Sequence, residues 1–152
     1  MDFHLDSLLN IPNITVFSCQ EQEGYILLKL DFLNEGITCP HCQNYTDDIH
    51  QTRPILIRDL AIFGQIVYLY VPRRQFYCRH CKKYPTEQLT FVEKRRNYTI
   101  RYEEYIYERV KELTVEQVSN NEQLTAEKVQ NIFSRIAKKK KRLVNARKIK
   151  SR

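Results

Sequence analysis

Two short loops, Cys39-Pro40-His41-Cys42 and Cys78-Arg79-His80-Cys81, constrain this chain more than any other feature, and they bracket 35 residues of strand-like sequence. A Cys-x-x-Cys turn carries two thiols on one tight knuckle. Two such knuckles supply the four soft ligands of a tetrahedral structural Zn²⁺, at roughly 2.3 Å from metal to sulfur. The reading is therefore one structural Zn²⁺ per chain, held by Cys39, Cys42, Cys78 and Cys81. With all four positions filled by protein, no place is left for a reactive water. Redox dithiols or two disulfides would use the same residues, and the pairing of two knuckles favours the shared metal. The spacing exceeds the usual run of roughly 15 to 20 residues, so the insert must form a hairpin that returns the second knuckle to the first. His41 and His80 lie inside the knuckles and are expected to point outward.

Charge is distributed unevenly. Residues 1–50 carry a net −7, residues 51–112 a net +6 and residues 113–152 a net +8. This polarity turns the middle and C-terminal parts toward a polyanion and the N-terminal part away from it. No apolar run reaches about 18 residues and the N-terminus has no signal-peptide pattern, which predicts a soluble, cytoplasmic, nucleoid-associated protein without a membrane segment. Cys19, the fifth cysteine, sits in an alternating apolar stretch and is expected to be buried.

The expected fold class is α+β. Residues 3–10 suit a short helix ending before Pro12. Ile14 to Cys19 and Tyr25 to Phe32 are strand-like, and the polar run from Gln20 to Gly24 is read as the turn between them. Asp47 to His50 and Arg53 to Leu60 continue as strand, Gly64 marks a turn, and Ile66 to Val71 is a strand that Pro72 ends or leaves on an edge. These pieces predict an N-terminal β-hairpin segment (1–37) and an antiparallel zinc-ribbon sheet (38–96). With few other contacts to hold it, that ribbon should melt over residues 39–81 when the metal is removed.

From Tyr98 the hydrophobic period lengthens to about 3.6, with Tyr102, Ile106, Val110 and Leu113 on one face. Thr114-x-x-Gln117 has the form of a capping box that opens a short helix to about Ser119, and Asn120 to Gln123 reads as a turn. Thr125 is the expected N-cap of a third helix that buries Val129, Ile132, Phe133 and Ile136. Val118, Leu124, Val129 and Ile132 fall where a helix-turn-helix closes its core. Gln123 occupies the turn position where glycine is common. The unit is read as residues 97–142, followed by a basic tail over 143–152.

The outward face of that third helix offers Lys128, Gln130, Asn131, Ser134, Arg135 and Lys138, followed by Lys139, Lys140, Lys141 and Arg142. Gln and Asn pair bidentately with adenine and Arg with guanine, while lysines suit phosphates. Arg73, Arg74, Arg95 and Arg96 in the zinc-bearing segment join the expected contacts, and the partner is double-stranded DNA. A solvated helix face is the bland alternative.

The order Cys39-Pro40-x-Cys42, Arg58-Asp59-Leu60-x-x-x-Gly64-x-x-Val67-x-Leu69, Arg73-Arg74-x-Phe76-x-Cys78, Phe91-x-Glu93 and Arg96-x-Tyr98-Thr99-x-Arg101 resembles the N-terminal part of the ISL-three-type insertion-sequence transposases, over most of the chain. The resemblance implies a zinc finger with Cys39, Cys42, Cys78 and Cys81 as ligands, and a helix-turn-helix over 114–138 that contacts DNA. In that family the pair binds the terminal inverted repeats of the element. Family members continue into an RNase H-like domain with an acidic triad. Here Glu103, Glu104 and Glu108 read as one solvated helix face, so a non-catalytic, transposase-derived DNA-binding protein is expected. A second copy of the chain or a full-length transposase are the further partners left open. The competing reading is a zinc-ribbon protein interaction module, or a stand-alone transcriptional regulator, with Tyr68, Tyr70, Phe76 and Tyr77 as exposed aromatic contacts.

Overall fold

The computed structural model describes residues 3–151. The chain forms two compact units, one ending at Thr99 and the other starting at Ile100. The observed class is the expected α+β, with strands first and helices after.

In the first unit, α1 (Phe3–Leu9) leads into β1 (Ile14–Gln22) and β2 (Tyr25–Phe32). Two short strands follow, β3 (Ile37–Thr38) and β4 (Tyr45–Thr46), then the long β5 (Ile49–Ile62) and β6 (Gln65–Phe76). β3 and β4 pair with each other, while the larger sheet has the order β1-β2-β6-β5. The hairpin read for residues 1–37 therefore shares a sheet with the zinc-bearing segment. The hairpin and the ribbon are each antiparallel, as expected, and they join through a parallel pairing of β2 with β6, from Tyr25 opposite Ile66 to Lys29 opposite Tyr70.

Leu28, Leu30, Val67, Leu69, Val71 and Ile57 fill one face of this sheet, and Ile14, Val16 and Leu9 extend the cluster toward α1. Asp6 fastens that helix by accepting hydrogen bonds from the Thr15 hydroxyl at 2.8 Å and the Val16 amide at 2.6 Å. Cys19 is exposed, contrary to expectation. The register of β1 against β2 shifts between Val16 and Ser18, leaving Phe17 as the extra residue; Cys19 then lies opposite buried Leu28, but Val16 is the last residue of β1 in the core cluster.

β6 does not stop at Pro72. Pro54 and Pro72 lie directly opposite each other in the antiparallel β5–β6 ladder. Two residues without N–H groups can face each other only at a non-hydrogen-bonded pair, where neither amide is needed by the other strand. The β2–β6 pairing ends at Tyr70, so no ladder on the far side of β6 misses the Pro72 amide either. The turn between β5 and β6 is Phe63-Gly64, both at positive φ (49° and 77°), the backbone hand that matches strand twist in a two-residue hairpin.

The end of the first unit is sewn to β5. The Arg58 amide donates to the Asn97 carbonyl at 2.9 Å, the Thr99 amide donates to the Arg58 carbonyl at 2.9 Å, and the Thr99 hydroxyl donates to buried Asp59 at 2.7 Å. The Arg58-Asp59 and Tyr98-Thr99 motifs, far apart in sequence, thus form one structural joint.

The second unit consists of α2 (Ile100–Glu112), α3 (Val115–Glu122) and α4 (Ala126–Lys150). Thr114 makes both halves of the predicted capping box with Gln117, and Thr125 caps α4 by accepting from the Lys128 amide. α3 runs three residues further than expected. It closes at Gln123, whose backbone is left-handed (φ 53°, ψ 44°) and whose amide donates to the Ser119 carbonyl. Glutamine here adopts the conformation for which glycine is the common solution. The tail expected over 143–152 continues α4 as helix to Lys150.

Candidate metal centre and nucleic-acid interface

The two knuckles are built alike, position for position. In the first, the Cys39 amide donates to the Asn44 carbonyl at 2.8 Å and the Gln43 amide to the Cys39 carbonyl at 2.9 Å. In the second, the Cys78 amide donates to the Lys83 carbonyl at 2.9 Å and the Lys82 amide to the Cys78 carbonyl at 2.7 Å. Gln43 and Lys82, at equivalent places, both have left-handed backbones. The stems are joined by the Thr46 hydroxyl, which donates to the Tyr77 carbonyl at 2.6 Å, and by the Tyr77 amide, which donates to the Asp48 carbonyl at 2.7 Å. Gly36 permits this approach, because a Cβ at that position would collide with the Thr46 carbonyl oxygen and the Tyr45 ring.

The result brings four sulfurs together, all within 4.8 Å of one another. Across the two knuckles, Cys39 and Cys81 are separated by 3.7 Å and Cys42 and Cys78 by 3.5 Å. A regular tetrahedron with metal–sulfur bonds of about 2.3 Å has sulfur–sulfur edges of about 3.8 Å, so the cradle fits one four-coordinate zinc. Cys39 and Cys78 are buried, while Cys42 and Cys81 are half-buried at its mouth. The Asn44 side chain and backbone, by hydrogen bonding, bring the Cys42 thiol down to about 6, whereas burial pushes Cys81 up to about 11. Zinc binds cysteine as thiolate, so metal binding is coupled to proton release. His41 and His80 are exposed, as expected, and His50 is exposed against the Tyr84 ring.

Behind the knuckles lies a buried ion pair. Arg74 is expected from sequence to contact DNA. Its guanidinium instead donates to both carboxylate oxygens of Glu87, at 2.9 and 2.7 Å, and to the Asn34 carbonyl at 2.9 Å, with the Phe32 and Phe76 rings against it. Both charged residues are buried. In this fold Arg74 neutralises Glu87 beside the strand end that carries Cys78. Phe76 is fully buried as well, so the aromatic contact surface of the interaction-module reading loses one member, and Tyr68, Tyr70 and Tyr77 are half-buried.

In the helical unit, Tyr102, Ile106, Val118, Val129, Ile132 and Ile136 are buried, Phe133 is half-buried, and its ring stacks on Tyr107 at 5.1 Å. Glu103 departs from expectation. Expected on a solvated face, it is 1% exposed and forms an ion pair with Arg135. Arg135 thereby ties α4 to α2. Lys140 is partly engaged too, with Glu104 at 3.2 Å and the Tyr107 ring beneath it. Lys128, Gln130, Asn131, Lys138, Lys139, Lys141 and Arg142 are exposed, and Ser134 is half-buried with its hydroxyl 3.1 Å from the Gln130 amide. In the first unit Arg95 is exposed, and Arg73 and Arg96 are half-buried. No helix among the described residues is long and apolar enough to cross a membrane.

Four clustered thiols on paired knuckles, followed by a capped three-helix unit, define a zinc-ribbon and helix-turn-helix protein as the class. Residues 35–81 match the zinc-finger of transposase IS204/IS1001/IS1096/IS1165, and residues 87–137 match the helix-turn-helix domain of transposase family ISL3. The chain thus carries the zinc-ribbon and helix-turn-helix domains of ISL3-type transposases, side by side. No curated protein and no solved structure matches it.

Proposed function

We propose that the chain binds a specific duplex DNA site, a terminal inverted repeat or a related sequence, through α4, with the zinc centre as a structural clasp. One observation carries the reading. The face of α4 opposite buried Val129, Ile132 and Ile136 exposes Lys128, Gln130 and Asn131 just after the capped turn, then Lys138, Lys139, Lys141 and Arg142. Amide side chains at the start of a recognition helix suit adenine edges, and the lysines suit flanking phosphates. The basic face continues along a helix of 25 residues, longer than its own unit's core requires.

These residues contribute binding and not strand chemistry. Among the described residues the only His, Cys, Asp or Glu cluster able to hold a metal is the four-cysteine one, and Glu103 is committed to Arg135. The test is titration of a labelled inverted-repeat duplex and a scrambled duplex across a salt series. Gln130→Ala or Asn131→Ala should cost about 1–3 kcal/mol on the repeat and much less on the scrambled duplex. Equal affinity for the two duplexes at every salt concentration would overturn the proposal.

A further inference from the structure

We infer that the zinc-bearing unit has a second, sequence-neutral grip on the phosphate backbone of duplex DNA, in a groove walled by Arg53, Arg73, Lys94 and Arg95. This rests on the duplex-DNA reading and adds a contact surface remote in sequence from α4.

The groove consists of two adjoining cavities of about 260 and 110 Å³ that share Ile55 and Arg73 in their walls. The larger lies over the ends of β5 and β6, where Arg53 and Arg73 are directly opposite in the ladder. Like charges at a cross-strand pair repel, so the arrangement is unfavourable without an anion between them. The smaller is closed by the turn over residues 93–96, in which the Arg96 amide donates to the Glu93 carbonyl at 3.1 Å and Arg95 has a left-handed backbone (φ 63°). That turn holds Lys94 and Arg95 exposed at its apex.

What distinguishes these cations is the absence of internal neutralisation. Among the described residues, the side chains of Arg53, Arg73, Lys94 and Arg95 make no ion pair or hydrogen bond, and Arg73 Nε is buried without a partner. Arg74, the next residue of the same strand, shows the contrast: Glu87 and the Asn34 carbonyl take up its guanidinium. Buried donors in folded proteins are nearly always satisfied, so an orphaned guanidinium nitrogen in a basic groove points to an anion that is met on binding. Guanidinium forks match phosphate oxygens bidentately. The charges are divided between the two adjoining cavities, Arg53 and Arg73 lining the larger and Arg73, Lys94 and Arg95 the smaller, which suits successive phosphates of a backbone better than a single small anion. Glu93 is the one carboxylate in the lining, and it has its own partner.

The experiment compares the zinc-loaded full chain with a variant carrying Arg53→Gln, Arg73→Gln, Lys94→Gln and Arg95→Gln. The slope of log affinity against log salt should flatten by about 3 to 4, since each neutralised phosphate contributes about 0.9. Affinities for the repeat and for scrambled duplex should fall together, leaving their ratio unchanged. The double variant Lys94→Gln/Arg95→Gln, confined to the exposed turn, should flatten the slope by about 2 and guards against misfolding of the larger variant. Wild-type slopes in both variants would overturn the inference while leaving repeat preference, and hence the α4 reading, intact. Loss of slope in a protein with no repeat preference would sink the α4 reading and uphold the groove. Perturbation of the Arg73 side-chain resonance by inorganic phosphate, with none by duplex, would overturn the assignment to DNA.

Discussion

Removing zinc should unfold the knuckles and spare the sheet. Without metal, the two knuckles retain four backbone hydrogen bonds, those of the Cys39, Gln43, Cys78 and Lys82 amides. At a net value of about 1 kcal/mol each these total about 4 kcal/mol. The left-handed backbones of Gln43 and Lys82 cost roughly 1–2 kcal/mol each, and ordering the loops costs more. The metal-free knuckles are therefore close to balance or below it, whereas a structural zinc supplies an apparent 10–16 kcal/mol or thereabouts. The sheet depends on other contacts. Leu28, Leu30, Ile57, Val67, Leu69 and Val71 are buried there, each worth about 1.5–3 kcal/mol. Hydrogen exchange on chelated protein should show the four knuckle amides unprotected while amides of Val67 to Val71 stay protected. Exchange of both sets together would mean that the metal holds the whole 39–81 segment, as spacing alone predicts. Retained knuckle protection would refute the energetic argument outright.

Two further outcomes follow from the helical unit. Arg135→Ala leaves buried Glu103 without its counter-charge and should cost about 3–5 kcal/mol in thermal or urea unfolding. The paired replacement Glu103→Leu/Arg135→Met should recover most of that, whereas a DNA-contact role alone would leave stability unchanged. Gln123→Gly relieves the left-handed backbone at the end of α3 and should raise stability by about 1 kcal/mol, read as a higher urea midpoint; a lower midpoint would show that the glutamine side chain matters more than its φ.

Much of this architecture is legible in local chemistry. The knuckle spacing gives the four thiols, the Thr114 and Thr125 caps place the starts of α3 and α4, and the change of hydrophobic period marks the transition to helix. Non-local pairing is harder to read. The alternation in Tyr25 to Phe32 specifies a strand but not that it will lie parallel to β6, because period two is the same for either direction. Pro72 has the signature of a strand end, and only its position opposite Pro54 shows why the strand continues. Cys19 sits in an alternating apolar stretch and lies opposite buried Leu28, yet the core cluster takes no residue of β1 beyond Val16, and Cys19 is exposed.

Charge is the least legible feature, because a basic residue looks the same in sequence whether or not the fold supplies its counter-ion. Arg73 and Arg74 are adjacent, and alternation along β6 sends them to opposite sides. Arg74 meets Glu87 and is internally neutral, while Arg73 faces Arg53 and is not. On α4, Arg135 is held by Glu103 while Lys128 and Asn131 remain exposed. An internally paired arginine cannot release counter-ions from DNA without abandoning a buried carboxylate, at a cost larger than one phosphate contact returns. The salt dependence of binding should therefore follow the number of cations left unpaired by the fold, and the formal charge of the chain overstates it.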